Sequence, residues 1–378
     1  MAVEFRYANV NEYQRVSDFL GEHWAKGHIY TRDRSLFDWS FRRPGNWDLP
    51  NSYSFSMAVD GSELVGILGG VPFTLNQFGK ASKAVWIVNY VIRPDYRKGA
   101  MALQLLSSFR KPEFAAVVAF GINPATVAIY RVLRGQVLPE IPRHFLVMPH
   151  QGDRMACALK ITYPEWSDDR AASLISKFEL PELPVPPLQI GHSLPSTWDE
   201  KDWPEHAAKT MGAARDADYL NWRYRNHPVF DYQFLTVAEG NRTGLAVWRL
   251  ETIRAETPHG RKDVDRIGRL VEFLPVSSSN AQALFGAFVG ELDRAGAMAA
   301  DFYGYHGRTR TLLQEMSFRG TAAHPDGLFL PSRFQPLDGK GGGIMSAIFL
   351  RDGSAPSAED ADCPWYWTKS DSDQDRPN

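Results

Sequence analysis

Cysteine is nearly absent: Cys157 and Cys363 stand far apart in 378 residues, with no CxxC spacing. That excludes a disulfide framework and a cysteine zinc site, and it fits a reducing compartment. Long apolar runs are missing too; none approaches the roughly 20 residues of a membrane helix. Charge of one sign is not in excess, since 42 Lys+Arg face 44 Asp+Glu for a net of -2. A nucleic-acid binder working through a broad basic surface is therefore not expected. The histidines show no zinc spacing, and no Ser-His-Asp arrangement stands out. The run Gly341–Gly343 lacks the Lys-Ser/Thr of a phosphate loop and reads as a flexible turn. The opening "MAVEFRYANVNEYQRV" is polar and mixed in charge, unlike a signal peptide. The expectation is a cytoplasmic chain with no metal, no nucleic-acid partner and no membrane insertion; the oligomeric state stays open.

What is present is a hydrophobic content of 44% with 12% aromatics, 11 of them tryptophan. This supplies a sizeable core and flat rings for a cleft. "NEYQRVSDFLGEHWAKG" has Val16, Phe19 and Leu20 at helical spacing. Consecutive strands follow, with a hairpin signal at Asp60-Gly61. "KAVWIVNYVIRP" is almost wholly apolar and predicts a central strand. A helix "ALQLLSSF", a buried strand "AAVVAFGIN" and a helix "PATVAIYRVLR" complete the first part. From about Ile141 to Arg215 the periodicity weakens and proline accumulates, which predicts an extended bridging arm. Hairpin, apolar strand, helix, strand and helix then recur to about residue 325, so two copies of one α/β unit is the economical reading. The tail "WTKSDSDQDRPN" is polar and acidic; it predicts a disordered end or a flap over the acceptor through Asp371, Asp373 and Arg376.

The junction "VIRPDYRKGAMALQLL" places Arg97, Lys98, Gly99 and two alanines between a strand and a helix. A helix N-terminus exposes unpaired N–H groups and partial positive charge, and small residues let a phosphate approach the backbone. This stretch resembles the acyl-CoA signature of the GNAT acyltransferase superfamily, an Arg/Gln-x-x-Gly-x-Gly/Ala turn. Arg97 matches the first position and Ala102 the last; Ala100 stands where glycine is usual, with Gly99 one place earlier. Downstream, "INPATVAIYRVLR" is similar to the family's Asn-x7-Tyr segment through Asn123 and Tyr130.

The resemblance implies an α/β (α+β) chain of two tandem GNAT-like domains, each a mixed, mostly antiparallel sheet flanked by helices. Residues 1–140 would bind acyl-CoA, 141–215 bridge, 216–330 form a degenerate acceptor domain, and 331–378 add a strand and tail. Coenzyme-binding residues would be Val91, Ile92, Arg97, Lys98, Gly99, Ala100, Met101, Ala102 and Asn123. Tyr130 would protonate the departing thiolate, and a backbone N–H near Tyr90 to Ile92 would hold the carbonyl oxygen. The co-substrate implied is acetyl-CoA or a short hydroxyacyl-CoA.

"YLNWRY..HP" and the tail resemble sugar N-acyltransferases of bacterial surface-polysaccharide pathways, which implies a nucleotide-linked amino sugar as partner. Asp218, Trp222, Arg223 and Tyr303 are its expected contacts. His28 and His306 are the candidate bases; His23 and the strand carboxylate Glu272 are weighed beside them. Two alternatives are carried: a Fem-type aminoacyl-tRNA-dependent transferase, and a non-catalytic module sensing acyl-CoA or a metabolite.

Overall fold

A computed structural model describes residues 3–43, 47, 49–97, 99–257, 260–321, 343–351, 356–358 and 362–377. Lys98, Gly341 and Gly342 lie outside the described residues. The chain begins with β1 (Glu4–Asn9), α1 (Tyr13–His23), α2 (Ile29–Arg32) and α3 (Arg34–Phe41). Strands β2 (Ser52–Asp60), β3 (Glu63–Gln77) and β4 (Lys80–Ile92) follow, then α4 (Met101–Ser107), β5 (Ala116–Ile122), α5 (Val127–Val132) and β6 (Gln136–Leu138). β7 (Arg143–Val147), α6 (Gly152–Thr162), α7 (Asp168–Ile175), α8 (Trp203–Ala207), β8 (Met211–Ala213) and α9 (Ala217–Leu220) come next. The second half holds β9 (Gln233–Glu239), β10 (Arg242–Thr257), β11 (Gly260–Leu274), α10 (Ser278–Arg294), β12 (Ala299–Tyr303), α11 (Gly307–Glu315) and β13 (Arg319–Gly320). β14 (Met345–Leu350) and β15 (Trp365–Tyr366) close the chain.

Local chemistry accounts for the main elements. Val16, Phe19 and Leu20 of α1 are buried, as their spacing predicts. The turn at Asp60-Gly61 joins β2 to β3, with Gly61 at φ +61°. β4 is apolar through its middle because both faces are covered: Trp86 and Val88 in one core, Val85 and Ile87 in another. Ser277 caps α10 by accepting from the N–H of Asn280, and Ala281, Leu284, Phe285 and Phe288 of that helix are buried.

Two mixed sheets result. The first runs β1-β2-β3-β4-β5-β14-β6, with β8 on the far end of β3 and β15 on β8. The second runs β13-β7-β12-β11-β10-β9. Each half contains one parallel pair bearing its helices, β4·β5 and β11·β12. This is the α/β architecture of two mixed sheets flanked by helices that the sequence predicts.

The halves exchange strands. β14 lies antiparallel between β5 and β6, while β7 lies antiparallel between β12 and β13. Each half thus borrows the second strand after its partner's last helix, β7 after α5 and β14 after α11. The interval 141–215 is accordingly not an extended arm throughout: it contributes β7 to the second sheet, and α6 and α7 pack on β7 and on Ile253 and Ile267. The stretch from Pro181 to Pro195 is extended, tied to β9 where Gly191 and Thr236 exchange backbone hydrogen bonds at 2.9 Å in both directions. The tail is not disordered: residues 365–375 are all buried. Among the described residues no helix is long and apolar enough to cross a membrane.

Because each sheet is completed by the other half, heating is expected to unfold both sheets in one calorimetric transition. Ile348→Ala in β14 should lower stability by about 2–4 kcal/mol and shift that single transition. Two separable transitions, only one of them moved by the substitution, would contradict the exchange.

Candidate active site

The parallel pairing of β4 and β5 runs from Ala84↔Ala116 to Ile87↔Ala119 and then stops. Both strands carry an extra residue just beyond. Against β3, Val88 pairs Gly69 and Val91 pairs Ile67, so Asn89 and Tyr90 together face Leu68. Against β14, Phe120 pairs Ser346 and Ile122 pairs Met345, which leaves Gly121 as the extra residue. Asn89 has φ +49° and Gly121 φ +83°. Bulges bend a strand and break its ladder. Two of them at one level part the strands and open a cleft of ≈ 320 Å³.

One wall of the cleft holds Asn123, Thr126 and Tyr130 from the turn and helix after β5. Asn123 Oδ1 accepts from the N–H of Ala125 at 2.9 Å and caps that turn. Tyr130 is 9% exposed, and burial pushes its hydroxyl up to about 12, so the phenol stays protonated at neutral pH. The opposite wall is the tail: Asp373, Gln374 and Arg376. Gln374 Nε2 donates to the carbonyl of Phe120 at 3.1 Å. A Cβ at Gly121 would come within 2.5 Å of the Gln374 carboxamide, so glycine is required there. Asp373 is the one carboxylate among the described lining residues; it accepts from Gln374 Nε2 at 2.6 Å and pairs with Arg376 at 2.8 Å. Trp24, 56% exposed, stands at the mouth.

The tail is held by buried charge. Arg215 bridges Glu272 at 2.7 Å and Asp371 at 2.8 Å, all three fully buried. Asp375 takes Arg249 at 2.7 Å, Lys369 at 3.2 Å and the Tyr232 hydroxyl at 2.6 Å. Burial alone would raise the Asp375 carboxyl, but Arg249 and Lys369 outweigh it and hold the group well below the usual range. The chain of charges continues from Arg249 through Glu251, Arg269 and Asp301 to Arg143. Glu272 is therefore a structural carboxylate, hydrogen-bonded also by Tyr224.

The structure separates the sequence-predicted residues into several places. Tyr130 and Asn123 share the cleft. His28 lies just outside its wall, close enough to Arg376 and Asp373 to feel both charges. Burial first, and Arg376 second, pull His28 down to about 4. Its Nδ1 accepts from the N–H of Tyr30 at 3.3 Å, so the neutral ring carries its proton on Nε2, a buried atom with no partner. That state makes His28 a donor rather than a ready base. His306 lines a different cleft, in the second half, with Nδ1 on Thr309 Oγ1 at 2.9 Å.

Residues 97 and 99–102 lead into α4 and do not line the cleft; Tyr90, in the wall, donates to the carbonyl of Ala102. Ala100 is the helix N-cap and offers no side-chain cap, and Gly99 has φ +99°. Arg97 Nε donates to the carbonyl of Ile92 at 3.0 Å. Met101 turns its side chain into the core, so only its backbone is available there. Val91 and Ile92 remain in the ladder with β3, and the Val91 side chain is buried.

None of the four expected acceptor contacts lines this cleft. Asp218 is exposed and pairs with Arg43 at 2.5 Å. Trp222 stacks on Trp39 at 4.7 Å. Arg223 is buried and donates to the carbonyl of Asp375. Tyr303 is core, under Arg143 at 5.1 Å. The residues that sequence reasoning placed least well are those of the tail. The signal was there: "PWYWT" directly before the acidic run is not the composition of a free end.

Comparison with known proteins adds the fold. No family model matches the chain, and no curated protein sequence matches it. Among solved structures, a GCN5-related N-acetyltransferase from Anabaena variabilis superposes with TM-score 0.50 at 13% identity, over 80% of this chain and 66% of that one. A probable N-acyltransferase from Enterococcus faecalis gives 0.50 at 13%, over 80% and 65%. The chain thus spans a little under two thirds of the length of these two. Saccharomyces cerevisiae N-myristoyltransferase with bound myristoyl-CoA gives 0.55 at 10%, over 94% and 80%. At these identities the likeness is one of architecture: the chain has the GNAT fold.

The tail's anchoring carries a pH signature. Burial and then the Arg269 charge pull Lys369 down from 10.5 to about 7. Between about 7 and 10.5 the unfolded chain holds a proton that the folded chain has released, so stability rises with pH in that window. Urea midpoints of wild type and Lys369→Met from pH 7 to 10 should diverge in the wild type's favour as pH rises. A constant difference would contradict the assignment.

Proposed function

We propose that this chain is an acyl-CoA-dependent N-acyltransferase acting by direct attack in a ternary complex. The observation that carries the reading is the cleft between the parted strands, with a protonated tyrosine on one wall and a carboxylate on the other. The neighbours with the same fold, one of them bound to myristoyl-CoA, support the donor class. Arg97 and the backbone from Gly99 to Ala102 would receive the coenzyme's phosphates, and Asn123 the adjoining arm.

The chemistry balances without a covalent enzyme intermediate. The acceptor amine attacks the thioester carbonyl, the C–N bond forms and the C–S bond breaks. Asp373 takes the proton lost by the amine, directly or through water. Tyr130 gives its proton to the leaving thiolate, and burial keeps it protonated until then. The bulge at Asn89 and Tyr90 frees backbone from the ladder where the carbonyl oxygen would need a donor. His28, proton on Nε2, stands behind Asp373 and Arg376 as a positioning residue.

For the acceptor we propose an amino sugar, nucleotide-linked, of surface-polysaccharide synthesis. Support comes from the resemblance of the chain's second half and from Trp24, an exposed flat ring lining the same cleft as Arg376, a pair of groups that suits a sugar face and an anionic group.

Tyr130→Phe should lower turnover about 10²–10⁴-fold while leaving the dissociation constant for acetyl-CoA within about twofold, read by calorimetry and by thiol release. Full turnover in that variant would remove Tyr130 from the mechanism. Thermal stability with acetyl-CoA tests the donor: at a hundredfold excess over the dissociation constant the folded state gains about 2.7 kcal/mol. No shift with acetyl-CoA or any longer acyl-CoA would sink the reading.

A further inference from the structure

The cleft beside Tyr130 has an end as well as two walls, and a residue of the tail stands at that end. β4 and β5 stay paired in parallel as far as Ile87↔Ala119, and the cleft opens where that ladder stops. Ile87 and Ala119 therefore bound its apex. Both belong to the core that holds Tyr130 and the buried side of α4. Phe120 belongs to the core on the other face of the sheet, where it meets Trp367 edge-on at 5.8 Å. The tail arrives on that second face, since Trp365, Tyr366 and Trp367 are part of the same core.

Gln374 reaches the apex from the tail. It lines the cleft and is buried. Its carboxamide lies flat on Gly121: a Cβ there would come within 2.5 Å of Cδ, Nε2 and Oε1 alike. A glycine inside a strand marks such a close approach. Nε2 donates to the carbonyl of Phe120 at 3.1 Å, just beyond the last pair of the β4 ladder. The turn that carries Gln374 is fixed on both sides, by Arg215 on Asp371 and by Arg249 on Asp375. The side chain thus occupies the space into which the parted strands would otherwise open.

The inference that follows rests on the acyl-CoA assignment proposed above. Tyr130 then marks the place of the sulfur and Asp373 the place of the amine, so the thioester carbon sits between the two walls. The coenzyme occupies the cleft on the side of Tyr130, and the acceptor occupies it on the side of Trp24. The direction left for the rest of the acyl group is the apex. We propose that Gln374 sets the length of the acyl group: its carboxamide, seated on Gly121, ends the apex and restricts the donor to a short acyl-CoA. The residue acts by its bulk, and its hydrogen bonds hold that bulk in place.

Titration calorimetry on the full chain with coenzyme A, acetyl-CoA, butanoyl-CoA and octanoyl-CoA tests this without an acceptor. Wild type is expected to bind octanoyl-CoA at least about tenfold more weakly than acetyl-CoA, since one methylene in a fitted pocket changes recognition about 10–200-fold. Gln374→Ala should remove most of that difference. Gln374→Met keeps a long unbranched side chain but cannot donate to Phe120 or Asp373, and it should preserve the difference. The ratio of the two affinities divides out any loss common to both, so a loosened tail does not imitate the effect. Equal binding of octanoyl-CoA and acetyl-CoA by wild type overturns the proposal without any variant. So does an unchanged ratio in Gln374→Ala, or a ratio relaxed as far by Gln374→Met as by Gln374→Ala. In each of those cases the binding of coenzyme A leaves the donor assignment standing. No binding of coenzyme A or of any thioester removes that assignment, and this proposal with it.

Discussion

A strand inside a protein must have its backbone paired on both sides, and this molecule meets that requirement by lending. β5 and β12 each end a parallel pair and each would present an unpaired edge. β14 covers one and β7 the other, each supplied by the opposite half. The position of the cleft follows from the loan, because the pairing of β14 with β5 is what leaves Gly121 as a bulge. The tail follows as well. Once β14 has brought the chain back to the first half, the remaining residues run between the halves and reach both clefts, Tyr366 at one and Asp373 at the other.

Burying so many charges is costly, and such pairs add little net stability over apolar packing. Their value here is positional. Asp371 and Asp375 stand two residues either side of Asp373, in contact with Arg215 and Arg249. A run of turns fixed at both neighbours has little freedom to rotate the side chain between them. The arrangement holds one carboxylate opposite Tyr130 without a helix or strand to carry it.

The elements that announce themselves locally were legible. The helix of Val16, Phe19 and Leu20, the Asp60-Gly61 hairpin, the apolar β4 and the repeated order of the second half each follow from periods of a few residues. Tyr130 and Asn123 were singled out by the resemblance of their segment to the family's, and the structure places both beside one cleft. β7 was not: "RHFLV" is five residues with no turn signal, and its partners lie at 299–303 and 319–320. The tail's burial was hidden for the same reason, since the acidic run is matched by arginines on strands far upstream. Tyr303 and Arg223 looked like ligand contacts because aromatic and guanidinium groups suit ligands; the buried charge chain uses the same chemistry internally. His306 was a candidate base, and the cleft it lines lies in the second half, apart from Tyr130.

The borrowed strand also sets an order of events during synthesis. β2 to β6 leave the ribosome well before β14 does, and until then the outer edge of β5 has no partner from its own chain. The first sheet must wait, incomplete and open to pairing with a neighbour, while the second half is translated. β7, in contrast, emerges ahead of the sheet it joins. The second sheet can therefore close as soon as α11 and β13 appear, and the half that is made last is the half that can finish first.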